Sequence, residues 1–193
     1  MILEGIVTTL GPDETFNIAP MGPTVDAGME RLLLRPFPTS RTYQNLRQHG
    51  EGVFHVTDDV FLLAKAAVGT VAPPPSTVPA EKVRGVLLAD ACRAYEFRIR
   101  SLDDTQQRVH IQADILHTVR FRDFFGFNRA KHAVVEAAIL ATRVDFLPIG
   151  DVRCQYARLR TMVEKTGGEQ EHEAFQYLVD YVERAATRNN TPS

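Results

Sequence analysis

Over much of the first two-thirds of the chain apolar positions recur at every second residue, and over the last third at every third or fourth. Residues 2–9 (ILEGIVTT) and 16–25 (FNIAPMGPTV) are β-prone runs separated by Gly11-Pro12-Asp13-Glu14, which predicts an antiparallel hairpin. A third strand is expected from Met29 to Phe37 around Leu32-Leu33-Leu34, ended by Pro36 and Pro38. Thr39 to Gln48 reads as a short helix, with Thr39 or Ser40 as cap, Tyr43 and Leu46 on one face, and Gly50 as stop. Residues 52–57 (GVFHVT) give another strand with Phe54 and Val56 on one side. Asp58 or Asp59 then caps a helix carrying Val60, Leu63, Ala64 and Ala67.

Pro73-Pro74-Pro75 and Pro79 make 70–80 an extended surface loop, a connector in preference to a ligand for proline-reading modules. Residues 94–101 (AYEFRIRS) alternate, with Tyr95, Phe97 and Ile99 on one face and Glu96, Arg98 and Arg100 on the other. The polar turn Asp103-Asp104-Thr105-Gln106-Gln107 leads into a long strand in which Val109, Ile111, Ala113, Ile115, Val119 and Phe121 keep the period of two. His117 interrupts that apolar face, as a bulge or barrel corner would. About six mainly antiparallel strands of this kind suggest a small barrel.

The period then lengthens. Asn128 caps a helix whose Ala130, Ala133, Val134, Ala137, Ala138 and Ala141 form an apolar stripe. Such small residues imply close approach to a neighbouring helix or sheet, and offer a packing surface to a second copy. Asp151–Lys165 (Val152, Tyr156, Leu159, Val163) ends at Gly167-Gly168, and Glu171–Ala186 (Phe175, Leu178, Val179, Val182) completes a three-helix unit. Arg188 to Ser193 should fray.

Composition narrows the function classes. Of 193 residues 44% are hydrophobic, enough to bury a core and to exclude intrinsic disorder. Net charge is −2, with no polybasic footprint for nucleic acid or an anionic membrane. No apolar run approaches the roughly 20 residues of a bilayer span. The start, Met1-Ile2-Leu3-Glu4-Gly5, reads as a strand and not as a signal peptide. Cys92 and Cys154 show no CxxC or CxxH spacing, which argues against a disulfide framework and a zinc site and favours a reducing cytoplasm.

Hydrolytic signatures are absent: there is no GxSxG, no HExxH and no Walker loop. His49, His55, His110, His117, His132 and His172 are scattered, none paired at ligand spacing on one helix. Two segments stand out. Asn17-Ile18-Ala19-Pro20-Met21-Gly22-Pro23 puts prolines and a glycine in a strand, so its backbone is an edge or is bent, and a flat ring could lie on it. Arg35-Pro36-Phe37-Pro38-Thr39-Ser40-Arg41-Thr42-Tyr43-Gln44-Asn45 gathers hydroxyls and arginines at a helix start, a combination that favours phosphate. Phe127-Asn128-Arg129-Ala130-Lys131-His132 repeats the theme more weakly, and Asn128 can serve simply as a cap.

These segments, NIAPMG, RPFPTSRTYQNL followed by GVFHVTDD, and FGFNRAKHAVVEAAILATR, resemble a family of small FMN-binding split-barrel proteins. The pattern Thr42, Asn45, Leu46, Phe54, Val56 is more distantly similar to flavin-reductase-like split barrels. The resemblance implies an α+β fold: a mainly antiparallel split β-barrel of FMN-binding type over residues 1–126, with a C-terminal helical subdomain over 127–187. It implies FMN at or near a homodimer interface. Asn17, Ala19, Pro20, Met21 and Gly22 would line the isoalloxazine, and Arg35, Ser40, Thr42, Tyr43 and Asn45 would hold the phosphate and ribityl chain. Asn128, Arg129 and His132 would reach the flavin of the partner chain. No GxGxxG occurs, so a nicotinamide donor would dock without a Rossmann unit. The implied function is an FMN-dependent oxidoreductase acting on a small molecule or taking electrons from a donor. The alternative is a non-catalytic flavin-binding or sensing module with a protein partner. Binding of single-stranded nucleic acid would need a basic groove, against which the charge argues.

Overall fold

A computed structural model of the chain describes residues 1–69 and 71–189. It comprises two compact units, residues 1–57 with 72–124, and residues 58–71 with those from 125 onward.

The first unit is built on a seven-stranded antiparallel sheet. The expected hairpin forms as β1 (Gly5–Leu10) and β2 (Phe16–Met21), with Val7 opposite Ala19. β3 (Thr24–Val25) pairs with β4 (Arg31–Leu34), α1 (Arg41–His49) follows, and β5 (Glu51–Val56) returns alongside β1. β8 (Arg93–Asp103) and β9 (His110–Arg120) are the two long strands, and the sheet order is β2-β1-β5-β8-β9-β4-β3. The sheet curls on itself at its β3 edge, where the Val25 amide donates to Met1 O (2.8 Å) and the Leu3 amide to Pro23 O (3.1 Å). Residues 1–3 thereby link β3 back to β1. β2 remains the free edge, which is where Pro20, lacking an amide hydrogen, is tolerated. Gly5 permits close approach, because a Cβ there would strike the carbonyl of His55 and, at 2.7 Å, the ring of Phe54.

The inner face of the sheet and α1 enclose a core of Val7, Leu32, Leu34, Tyr43, Leu46, Phe54, Tyr95, Phe97 and Ile111. The uniform period of two expected along β9 does not hold. Register passes from Glu96 opposite His117 to Phe97 opposite Ile115, so Leu116 is an extra residue, and the interruption at His117 is a bulge. Ile115 therefore packs on the inner core while Val119 joins an outer cluster with Val53, Val83, Leu87 and Ala94.

That outer cluster has a cover the sequence did not suggest. Within and after the proline-rich segment, β6 (Thr77–Pro79) and β7 (Val86–Leu88) form a short hairpin over the outer face. Glu96, expected on the face that Arg98 and Arg100 share, is 0% exposed. Its carboxylate accepts the amides of Glu81 (3.0 Å), Lys82 (2.5 Å) and Val83 (3.1 Å).

The second unit is helical: α2 (Val60–Val68), α3 (Arg129–Ala141), α4 (Ile149–Thr166) and α5 (Glu169–Asn189). α2 thus clusters with the three expected helices, packing on α3 and α5. The alanine stripe of α3 is spent inside this unit: Ala130, Ala133, Val134, Ala137, Ala138 and Ala141 are at most 2% exposed. It leaves no face for a second copy, which corrects the surface expected for a dimer. Tyr156 of α4 donates to Ala137 O (2.7 Å), and burial pushes its phenol pKa up. Of the frayed end expected at Arg188–Ser193, Arg188 and Asn189 belong to α5, and the rest, like Thr70 of the proline-rich loop, lies outside the described residues.

Candidate functional site at the start of α1

Ser40, not Thr39, caps α1. Its Oγ accepts the Tyr43 amide (3.2 Å) and donates to Phe37 O (2.8 Å), while Gly50 closes the helix at φ 69°. The first intrahelical bond runs from the Gln44 amide to Ser40 O (3.1 Å), and the amides of Arg41 and Thr42 have no partner among the described residues.

α1 lies against β1 and β2, and two side-chain bonds fix it there. Asn17 Nδ2 donates to Thr42 Oγ1 (3.0 Å), and Asn45 Nδ2 donates to Thr9 Oγ1 (3.0 Å). Thr42 is 2% and Asn45 4% exposed, so both bonds are shielded from water. Tyr43 sits in the inner core and its hydroxyl donates to Asp104 Oδ2 (2.8 Å), which raises the phenol pKa. Arg35 and Arg41 are exposed on either side of the cap. Arg108 adds a third guanidinium: it stacks 3.8 Å from the Phe37 ring centroid and donates to Arg35 O (3.4 Å). Asp13 carries charge toward Arg41; its carboxyl lies below the ordinary range, mainly through the hydroxyl and amide of Thr15 and to a smaller degree through Arg41.

The five residues expected along a flavin ring separate by strand parity. Asn17 and Met21 face inward, Asn17 to Thr42 and Met21 to the core, with Ala19 between them opposite Val7. Pro20, paired with Ile6, belongs to the other face. Gly22 follows β2, and a Cβ there would meet the Glu4 carboxylate (2.8 Å) and Ile2 (2.9 Å). The third group of candidates lies in the helical unit. Asn128 caps α3, accepting the Lys131 amide (3.0 Å), and its Nδ2 donates to Thr166 O (2.9 Å), so both ends of its amide are committed. Arg129 and His132 are exposed, with Phe127 edge-on to His132 at 6.0 Å between centroids.

The donors at α1 are two backbone amides, the Thr42 hydroxyl and flanking guanidinium groups. That set matches a phosphate monoester at a helix start. Ser40, Tyr43 and Asn45 are instead occupied in holding the helix. Arg108 was missed because only its stacking on Phe37, distant in sequence, brings it here. Among the described residues no group of three or more His, Cys, Asp or Glu is placed to hold a metal, and no helix is long and apolar enough to cross a membrane.

Comparison with solved structures finds this fold elsewhere. An FMN-bound DUF447 protein of Methanosarcina mazei is similar over 93% of this chain and 94% of its own, at 23% identity and a TM-score of 0.80. A 2-nitrobenzoate 2-nitroreductase of Pseudomonas fluorescens is similar over 61% of this chain and 64% of its own, at 16% identity and a TM-score of 0.53. Flavoredoxin of Desulfovibrio vulgaris covers 62% of this chain and 69% of its own, at 12% identity and a TM-score of 0.52. These likenesses show the flavin-reductase-like split-barrel fold. The family model described as "Protein of unknown function (DUF447) N-terminal domain" matches residues 3–121, and the DUF447 C-terminal model matches residues 128–180. By both halves, the chain belongs to the DUF447 family.

Proposed function

We propose that the chain is an FMN-binding flavoprotein whose cofactor phosphate is held at the start of α1. One observation carries the reading. The amides of Arg41 and Thr42 and the hydroxyl of buried Thr42 form a donor set suited to a phosphate, in a fold whose Methanosarcina relative was crystallised with FMN. Arg35 supplies charge beside them, and Ser40, Tyr43 and Asn45 keep α1 in place. Asn17, Ala19 and Met21, on one face of the free edge strand, are the surface for the ring. When bound, FMN supplies hydride or electron transfer, and the protein supplies orientation and exclusion of water. The activity that fits is that of an oxidoreductase with a small-molecule substrate or electron donor. The 2-nitrobenzoate 2-nitroreductase of Pseudomonas fluorescens and an NADH:FAD oxidoreductase of Streptomyces globisporus, both similar in fold, support this class.

A homodimer is part of the same proposal. Its support is the apolar surface of the helical unit, where Phe125, Phe127 and Phe146 are 89%, 96% and 85% exposed. Arg129 and His132, exposed at the start of α3, are the groups there for the flavin of a second copy.

The test is direct. Purified protein should be yellow or bind added FMN in the micromolar range or tighter, with the released chromophore identified by mass. A colourless protein giving no titration signal with FMN overturns the reading. NAD(P)H consumption in the presence of an acceptor then separates an oxidoreductase from a flavin-binding module.

A further inference from the structure

Four side chains on the outer face of the sheet, one from β1, two from β5 and one from β8, reach the hairpin formed by β6 and β7. Thr8 Oγ1 donates to Val86 O (2.7 Å) and His55 Nε2 accepts the Leu88 amide (3.1 Å). Glu96 accepts three amides from Glu81 to Val83, and Glu51 accepts the Arg84 amide (2.7 Å). The hairpin itself is held by two short strands, and its apolar contribution is small: Val83, Leu87 and Leu88 are buried, with Ala80 packed beside them. Its attachment therefore rests heavily on polar bonds, of which those of Glu96 to Val83 and of His55 to Leu88 are buried.

Of these anchors His55 binds the hairpin through a single acceptor nitrogen, and a proton gained there turns that acceptor into a donor. It is 0% exposed, and Nδ1 donates to Ile6 O (3.2 Å) while Nε2 accepts from Leu88. Only the neutral ring does both; the imidazolium has two donors, and its Nε2–H would point at the Leu88 amide. We infer that residues 77–88 form a strap over the outer face of the sheet, latched by neutral His55, which lets go in mildly acid solution while the barrel beneath stays folded.

Burial lowers the His55 pKa from 6.5 to about 4 in the closed state. Release of the strap brings the ring into water, where it regains its ordinary value, so a proton taken up there favours opening. Between pH 7.5 and pH 5 the opening constant should rise about thirtyfold on these two values. The other titratable and charged groups at the strap are Glu96 on β8, Glu51 on β5, Arg98 on β8, His117 on β9, Glu14 beyond β1, and Glu81, Lys82 and Arg84 on the strap itself. Glu51 lies below its ordinary value, burial raising it and the Arg84 amide and Arg98 outweighing that; Glu81 lies lower through Lys82. Neither releases the strap in this window. His117 Nε2 lies 3.3 Å from Glu81 Oε2, a further tie between β9 and the strap.

Hydrogen exchange of the whole protein at pH 7.5 and pH 5, corrected for intrinsic rates and read by mass spectrometry, tests the inference. Protection of the Val83 and Leu88 amides should fall about thirtyfold while that of Tyr95 and Phe97 in β8 changes little. His55→Gln, which can accept from Leu88 without titrating, should abolish the fall, and Glu96→Gln should leave it in place. The inference is overturned if strap and β8 lose protection together, if the strap loses less than threefold, if His55→Gln retains the fall, or if Glu96→Gln removes it. Should His55→Gln fail to fold, the contrast between strap and β8 in the native chain still decides.

Discussion

The side-chain amide of Asn17 donates to Oγ1 of Thr42 across 3.0 Å, joining the free edge strand to the second residue of α1. Because the hydroxyl accepts this bond, its own proton points elsewhere, available to an acceptor beside the free amides of the first turn. The same bond fixes the distance between the strand proposed for the ring and the helix start proposed for the phosphate.

Thr42→Val should therefore weaken FMN about tenfold, in line with loss of one hydrogen bond to a charged group at about 1.4 kcal/mol per decade. Arg35→Ala should weaken it by roughly ten- to a hundredfold, the charge-assisted bond being worth about 1.5–3 kcal/mol. Riboflavin, which has no phosphate, should respond much less in both cases. Ser40→Ala should act differently, lowering stability by about 1 kcal/mol through loss of the cap. Paired titrations of FMN and riboflavin, with urea unfolding alongside, check all three. Equal loss of both flavins in Thr42→Val would place the phosphate elsewhere.

Glu96, itself buried, answers the backbone amides of Glu81, Lys82 and Val83, of which the Val83 bond is fully buried. Glu96→Ala should cost about 1–3 kcal/mol, the penalty for the buried Val83 donor left unmade. Glu96→Gln keeps one acceptor oxygen and should cost less. Urea denaturation at neutral pH measures the difference. Equal stability of Glu96→Ala and the native chain would mean that the hairpin contributes nothing to global stability.

What was legible in the sequence, and what was not, divides along local and long-range chemistry. Capping by Ser40 and Asn128, the stop at Gly50 and the alanine stripe of α3 are decided within a few residues and were readable. The hairpin of β1 and β2 was equally local. The parity of β9 was not, because one inserted residue, Leu116, moves every side chain after it to the opposite face. The burial of Glu96 was not legible, because alternation reports which side of the sheet a residue faces, never what covers that side. The cover is built from two three-residue strands, one ending at Pro79, too short and too broken to register as a pattern. At the candidate site the donors were visible as composition, whereas the pairing of Tyr43 with Asp104 and of Asn45 with Thr9 depends on tertiary approach.

The exposed phenylalanines bear on assembly. Phe125→Ser with Phe127→Ser removes much of the exposed apolar surface near the start of α3, so it should shift a dimer toward a monomer of 21.6 kDa at micromolar concentration. Ala137→Leu tests the opposite expectation. It overpacks the dry interior of the helical unit beneath Tyr156, costs about 1–3 kcal/mol of stability, and leaves the dimer constant unchanged. Light scattering across a dilution series reads both. A native chain that is monomeric with flavin bound would dispose of the dimer altogether.

Inside the helical unit Lys131 Nζ donates to Glu171 Oε1 (2.7 Å) and Asp58 O (2.7 Å), while the Gly168 amide donates to the other Glu171 oxygen (2.8 Å). Glu171 is buried, which pushes its carboxyl pKa up, but Lys131 and the Gly168 amide outweigh that and leave it below its ordinary value of 4.5. A carboxyl lowered in the folded state contributes stability above its unfolded pKa, and this contribution is lost as pH falls through the folded value. Lys131→Met reverses the balance. It leaves a buried carboxylate with only one amide, so at pH 7 it should cost about 3–5 kcal/mol. The desolvated carboxyl then titrates above 4.5, and its protonation relieves the penalty as the solution is acidified. The gap between the native chain and Lys131→Met should thus be widest at pH 7 and narrow toward pH 4.5. The double variant Lys131→Met, Glu171→Leu, which removes both charges at similar volume, should recover most of the loss at neutral pH. Urea unfolding of the four proteins at the two pH values completes the cycle. A gap independent of pH, or a double variant no better than Lys131→Met, would show that packing of the lysine stem and not the ion pair sets the cost.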